Sequence, residues 1–403
     1  MSDLQSHDED HLRAVTSGIA KAYDVMPYDV PPHLATDPDR VLGVAALYGA
    51  CPPFGDVLDI GCGSGARLER LATQLDGKLH GLDIAPAGLE QARVRLAPWR
   101  DRVTLFEGDL LDISPGELGQ YDMIYCTGVL FVVPPEVRRR ALKLIAACLK
   151  PNGVAVVSYY AGAGAAVRAH LYRLLRTGVD PAATPEARVA IARQRLAQVA
   201  EFSQGAPGQA PVMDAVNFAN QLGDLNLFHE ALNEASEALA TGDLEAELSM
   251  QGMHFLGYAE HGLVAASSRE RAWAADFLDL VQSPYRYAIF AKVPDGRPRL
   301  RAPEVRWTSI LARVGEGGYD QEKVAYGADD GRAVNIPGAF TQAVLDELAA
   351  SGPLTWAELV TLGKARLKAA GGEEPGEGAE DLLEQHFMGL WRVGFVQPSR
   401  VKA

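Results

Sequence analysis

In DVLDIGCGSGARLERL, Asp56 to Leu71, an apolar run gives way to three alternating glycines, Gly61, Gly63 and Gly65, and then to an amphipathic run. A glycine-rich turn leading from a strand into a helix offers bare backbone amides, and can hold a dinucleotide, a phosphate or a nucleoside. The dinucleotide fingerprint is Gly-x-Gly-x-x-Gly; here the third glycine arrives one residue early. That makes the turn rounder, so its amides do not converge on a pyrophosphate. Asp59, two residues before the first glycine, would repel a pyrophosphate and attract an ammonium. Asp83 ends the next apolar run, GLDI, where a carboxylate accepts hydrogen bonds from ribose hydroxyls. Asp109, in EGDLLD, ends a third run, where an adenine amino group could be met. Together these residues describe a site for a nucleoside with a charged amino-acid tail. Cys62, inside the turn, reads as a small filler rather than a nucleophile.

The elements that must position these groups follow from periodicity. Apolar runs (DVLDI, KLHGLDI, RVTLFEGD, YDMIYCTGV, GVAVVSYY) alternate with helical runs (SGARLERLATQL, APAGLEQARVRLA, PEVRRRALKLIAACLK). Such alternation predicts a parallel sheet with ligands beyond the carboxyl ends of its strands, along one rim holding Gly61 to Gly65, Asp83, Asp109 and Thr127 to Leu130. From about 162 to 283 the pattern is helical, through VRAHLYRLLR, PEARVAIARQRLAQVAEF, MDAVNFANQL, FHEALNEASEALA and AWAADFLDLVQ, with ATGDL as punctuation. YRYAIFAKV, Tyr285 to Val293, reads as a strand. After a proline-rich linker come a strand-like EVRWTSILARV and three helical runs.

Five motifs in order, DIGCGSG, GLDI, EGDLLD, YDMIYCTGVL and LKPNG, resemble those of class I S-adenosylmethionine-dependent methyltransferases. Ala22 to Gly49, with its YDVMPY, and the segments Phe228 to Leu232 and Asp276 to Arg286 extend the resemblance. They are similar to a bacterial methyltransferase family with a regulatory domain, which includes rickettsial protein-lysine methyltransferases. The resemblance implies an α/β fold: a Rossmann-like class I methyltransferase sheet, a helical middle region and a small winged-helix-like C-terminal domain. Its expected divisions are an N-terminal lid over 1–50, a cofactor-binding domain over 51–162, a regulatory-type helical region completing the sheet over 163–295, and the C-terminal domain over 300–403. It assigns S-adenosylmethionine to Tyr23, Asp59, Gly61, Cys62, Gly63, Gly65, Asp83, Ile84, Asp109, Leu110 and Thr127.

The acceptor side departs from the family. Its His-Gly-Val-Phe-Ser-Trp-Val-Pro loop reads Thr127 to Pro134 here, TGVLFVVP, without the His, Ser and Trp. Its Tyr-Asn-x-x-Pro-Gly-Trp is replaced by YYAGAGA, Tyr159 to Ala165, so a small, flexible wall is expected where the family has an aromatic one. Tyr28, Tyr159 and Tyr160 are the expected acceptor-orienting residues, and alternation along a strand puts only one of the last two inward. Tyr23 and Tyr28 are expected to close over the cofactor as a lid. Phe131, His33 and His254 are expected to face the acceptor, and His33, His229 and His254 are the candidate bases. His229 and Glu230 are adjacent on an expected helix, so their side chains should diverge.

The residues leave three functions open. One is N-methylation of an amine of a peptide or protein; another is N- or O-methylation of a small natural-product-like acceptor; a third is a non-catalytic cofactor-binding regulator. The net charge of −14 argues against nucleic acid as a partner. Four cysteines, with no Cys-x-x-Cys pair and no histidine at metal spacing, point to a reducing compartment and no metal. The polar, acidic N-terminus and the lack of a long apolar run point to a cytoplasmic protein without a membrane partner. The helical region could shape a cleft or a homodimer.

Overall fold

The computed structural model describes residues 2–53, 55–162, 164–180, 182–263, 265–280, 285–315, 317–319 and 322–400, with side chains from residue 9 onward. A seven-stranded sheet organises it, from β1 (Val57–Ile60), β2 (Leu79–Asp83), β3 (Val103–Glu107), β4 (Tyr121–Cys126), β5 (Leu149–Tyr160), β6 (His254–Tyr258) and β7 (Tyr285–Ala291). The strand order is β3-β2-β1-β4-β5-β7-β6, and β7 runs antiparallel to both of its neighbours. The expected Rossmann-like sheet is present. β1 and β4 are buried at every position, as apolar central strands covered on both faces must be.

Helices α1 (Ser2–Val25), α2 (Pro38–Leu47), α3 (Ala66–Gln74), α4 (Pro86–Arg95) and α5 (Pro135–Cys148) accompany the first five strands. α3 buries Leu68, Leu71 and Ala72, the apolar stripe its sequence predicts. Between β5 and β7 lie α6 (Ala166–Arg176), α7 (Pro185–Phe202), α8 (Gln209–Gln221), α9 (Thr241–Ser249), the edge strand β6 and α10 (Ser268–Asp279). The register of β5 on β7 pairs Tyr160 with Tyr285, Tyr159 with Arg286 and Ser158 with Tyr287. This pairing brings chain from beyond the helical region back to the rim of the sheet.

Several expectations need correction. FHEALNEASEALA is one wide π-type turn, Leu227–Ala231, followed by irregular chain, because Asn233 leaves the helix to donate from its side chain to the Val132 carbonyl. ATGDL opens α9 rather than breaking the chain. β6 interrupts the region read as wholly helical, and its glycine-containing, bulged HFLGY carries little strand signal. EVRWTSILARV breaks at Ile310 into β8 (Val305–Ser309) and β9 (Leu311–Arg313). The expected end of AWAADFLDLVQ, Val281 and Gln282, lies outside the described residues.

The C-terminal part adds β10 (Lys323–Ala328), β11 (Ala333–Pro337), α11 (Ala339–Ser351), β12 (Leu354–Thr355), α12 (Trp356–Ala369), α13 (Ala379–Arg392) and β13 (Val396–Arg400). β12, β8 and β13 form one antiparallel sheet, and β11, β10 and β9 form another. Its core is continuous with that of the main sheet: Trp307, Leu345 and Trp391 belong to one apolar cluster with Val41, Leu47 and Val57. At Gly43 of α2 a Cβ would lie 2.5 Å from the Ser399 Cα, so the backbone of β13 rests directly on that helix.

Candidate functional site

The cleft at the carboxyl ends of β1, β2, β3 and β4 has a volume of about 400 Å³. Gly61 (φ +74°) and Gly63 (φ +49°) form its floor in the left-handed backbone region that glycine alone adopts freely. A Cβ on Gly61 would lie 2.3 Å from Val129 Cγ2, so the bare backbone is required. Gly65 caps α3 but faces away from the cleft, against Ala92 and Leu96, so its role is to let two elements pack closely. Cys62 lies with its sulfur toward Gly81, its thiol raised by burial, as a filler would be.

Asp83 accepts from the Gly63 amide at 2.7 Å and the Ala85 amide at 2.8 Å, which aims its carboxylate along the rim. Burial raises its pKa, and those two amides and that of Ile84 oppose the rise. Asp109 accepts from the Leu111 amide and lines the cleft beside Leu110 and Ile84. Asp59 is 2% exposed; burial pushes its carboxyl up to about 7, against the pull of Arg67. The Arg67 Nε lies 3.6 Å from Asp59, and its two terminal nitrogens donate to Thr36 Oγ1 (2.7 Å) and Thr127 Oγ1 (2.6 Å). An acid and a guanidinium side by side complement an ammonium and a carboxylate on one carbon. Arg67 belongs to none of the five motifs, although its place in the first turn after the glycines is a usable signal.

α1 and the segment after it cover this floor. Thr16, Ile19, Tyr23, Tyr28 and His33 line the cleft from above. Asp29 holds the cover by accepting two hydrogen bonds from Arg95 (2.9 and 3.0 Å) and one from Ser64 (2.6 Å); Asp24 accepts from the Ala87 amide. His229 donates from Nε2 to the Met26 carbonyl at 2.6 Å and stacks on Tyr23 at 4.1 Å. Burial lowers its pKa, which favours the neutral ring, against the pull of the Met26 carbonyl.

Beyond the floor the wall is aromatic. Phe131, Tyr160, Tyr285 and Tyr287 join Tyr28 and His33 there. Tyr160 lies edge-on to Phe131 (5.1 Å) and Tyr285 (4.9 Å), Tyr285 edge-on to Tyr287 (5.3 Å), and His33 stacks on Tyr287 (5.0 Å). The expected small, flexible wall is therefore corrected: β7 supplies rings from beyond the helical region. Tyr160 donates to Glu230 Oε2 at 2.5 Å, and Glu230 also lines the cleft. His229 and Glu230 diverge as expected, His229 to Met26 and Tyr23 and Glu230 to Tyr160, yet the wide turn at Leu227–Ala231 lets both line the cleft.

Tyr159 and His254 fall elsewhere. Strand alternation sends Tyr159 to the opposite face, where it is fully buried against the Thr241 hydroxyl at 2.8 Å. His254 opens the edge strand and meets Ser268 (3.2 Å) and Glu245 (3.6 Å), away from the cleft. Among the described residues no group of three His, Cys, Asp or Glu side chains could hold a metal ion, and no helix is long and apolar enough to cross a membrane.

Residues 57–153 match the family profile described as a methyltransferase domain. An uncharacterised protein of Rickettsia prowazekii is 31% identical over 143 residues, 34% of this chain and 57% of that protein. A ubiquinone biosynthesis O-methyltransferase of Vibrio parahaemolyticus is 31% identical over 97 residues, 24% of this chain and 40% of that protein. The matches thus span less than two thirds of either relative. The structure of PKMT2 from Rickettsia typhi in complex with AdoHcy superposes with a TM-score of 0.76 at 20% identity, over 93% of this chain and 78% of that one. That likeness extends the shared fold through nearly the whole chain.

Proposed function

We propose that this chain, whose residues 57–153 form a class I S-adenosylmethionine-dependent methyltransferase domain, methylates an amine of a peptide or protein. The observation that carries the reading is the continuity of one cavity from the glycine floor and Asp83 to the ring of Tyr28, Phe131, Tyr160 and Tyr285 around Glu230. The residues present fit S-adenosylmethionine: a bare Gly61–Gly63 floor, Asp83 for the ribose, Asp109 and Leu110 for the base, and Asp59 with Arg67 for the amino-acid tail. When bound there it supplies a methyl group already activated on sulfur.

The chain's own residues then have three tasks. The cover over residues 16–33, pinned through Asp29, excludes water. The aromatic faces and the Glu230 carboxylate favour a cationic guest, as ring quadrupoles do. The same apolar surroundings lower an amine's pKa toward the neutral form that attacks. A volume of about 400 Å³ is small for two partners, so beside the donor it suits a slender chain end. Closure of the cover also favours a second reading, a free small amine.

Methyl-labelled donor added to a cell extract, followed by separation by size, tests the reading. Label on macromolecules is the expected result, and label confined to small species would replace it with the second reading. Donor binding without any transfer would leave a cofactor-binding regulator.

A further inference from the structure

Glu230 is a buried acid that the donor site does not use. It reaches the aromatic end of the cleft from the wide turn after α8, and Tyr160 of β5 fixes its carboxyl by a hydrogen bond. Tyr160 is in turn held edge-on by Phe131, Tyr285 and Phe218, and the Arg168 guanidinium of α6 lies 4.7 Å from its ring centre. Both residues are less than 10% exposed, so the pair has a single orientation. The candidate histidines are less suited to proton transfer. His229 is tied to Met26, and the Nδ1 of His33 already accepts from the Ala35 amide.

Resting on the reading above, we propose that Glu230 receives the proton an acceptor ammonium must lose before methyl transfer, and that Tyr160 is its positioning residue. An ammonium N–H bond breaks and a Glu230 O–H bond forms. The freed nitrogen lone pair then makes the new N–C bond while the methyl carbon leaves sulfur, whose bonding pair stays behind as a thioether lone pair. The product nitrogen is again an ammonium, and Glu230 returns its proton to water when the site opens.

The groups facing Glu230 are consistent with this role. They are Tyr160 on β5, Arg168 and Tyr172 on α6, Tyr285 and Tyr287 on β7, and Tyr23 and Tyr28 of the cover, while the adjacent His229 turns to Met26 and Tyr23. Burial holds the tyrosines above their ordinary range and His229 below its own, while it pushes Glu230 up to about 7. A base poised near neutrality suits general-base catalysis.

The test uses the full chain, the acceptor found by extract labelling, and the variants Glu230→Gln and Tyr160→Phe. Calorimetric donor binding by Glu230→Gln should stay within about 2-fold of the parent, since Glu230 does not touch the donor floor. Its kcat should fall on the order of 100-fold, the usual scale for a lost general base, and the deficit should shrink as pH rises toward the amine's own pKa. Tyr160→Phe should shift the midpoint of the pH–rate profile with a smaller loss. An infrared pH difference spectrum of the parent should show a carboxyl titrating near neutrality that Glu230→Gln lacks. A Glu230→Gln enzyme with the parental kcat and pH profile would overturn the proposal and leave the function intact. A parent that binds donor but methylates no amine would overturn both.

Discussion

At the donor end, Gly61, Asp83 and Asp109 lie at or just beyond the carboxyl ends of three neighbouring parallel strands, which follow one another in the chain. At the acceptor end, Tyr28, Phe131, Tyr160, Glu230 and Tyr285 come from the cover, the β4 loop, β5, a π-type turn and the reversed strand β7. The first end is built from local units, each strand placing one ligand group at its carboxyl end. The second is built by long-range closure, so its composition can change while the donor floor stays as it is.

That contrast can be broken or sharpened by substitution. The largest effect expected is on stability, and it separates the ends by pH. The Glu230 carboxyl, ordinarily 4.5, is held up to about 7 in the folded chain. The neutral form is thus favoured by folding: this contribution is complete below 4.5 and is lost as pH rises through 7. Glu230→Gln removes that penalty, and above neutrality it should be more stable than the parent by about 3 kcal/mol, a gain that disappears in acid. Paired denaturant melts at acid and mildly alkaline pH would show it; equal stability at both would mean that the carboxyl is solvated.

Next in size is Asp83→Ala, which removes the acceptor of two backbone amides and, in the proposed function, of the ribose hydroxyls. Donor affinity by calorimetry should fall on the order of 100-fold, about 3 kcal/mol, with the aromatic end undisturbed. An unchanged affinity would remove Asp83 from the site. The smallest effect expected is that of Asp29→Asn, which weakens a partly exposed clasp between the cover and Arg95. It should raise the donor dissociation rate by about 3-fold, since such pairs contribute about 0.5–1 kcal/mol. A rate unchanged in stopped flow would mean that the cover does not gate the donor.

The same contrast decides what could be read from the sequence. Asp59, Gly61, Gly63, Asp83 and Asp109 were legible because a strand, its turn and the next helix are contiguous, and each motif carries its own geometry. Tyr160 was legible only as one of two alternating tyrosines. Tyr285 and Tyr287 were seen as strand residues but not as site residues, since only the antiparallel register of β7 on β5 sets them beside Tyr160. Glu230 was not legible as a site residue, since only the fold of the turn at Leu227–Ala231 sets it beside Tyr160 of β5. Gly65 and His254 failed in the opposite direction. A motif glycine serves packing, and a histidine in an apparent helical region opens the edge strand.

The central claim is that one cavity brings an activated methyl group to an amine. Its most direct test is mass-spectrometric identification of the methylated atom in acceptor labelled by the full chain. The account predicts the methyl on an amine nitrogen, in a yield that depends on Glu230; methyl on oxygen, sulfur or carbon would contradict it.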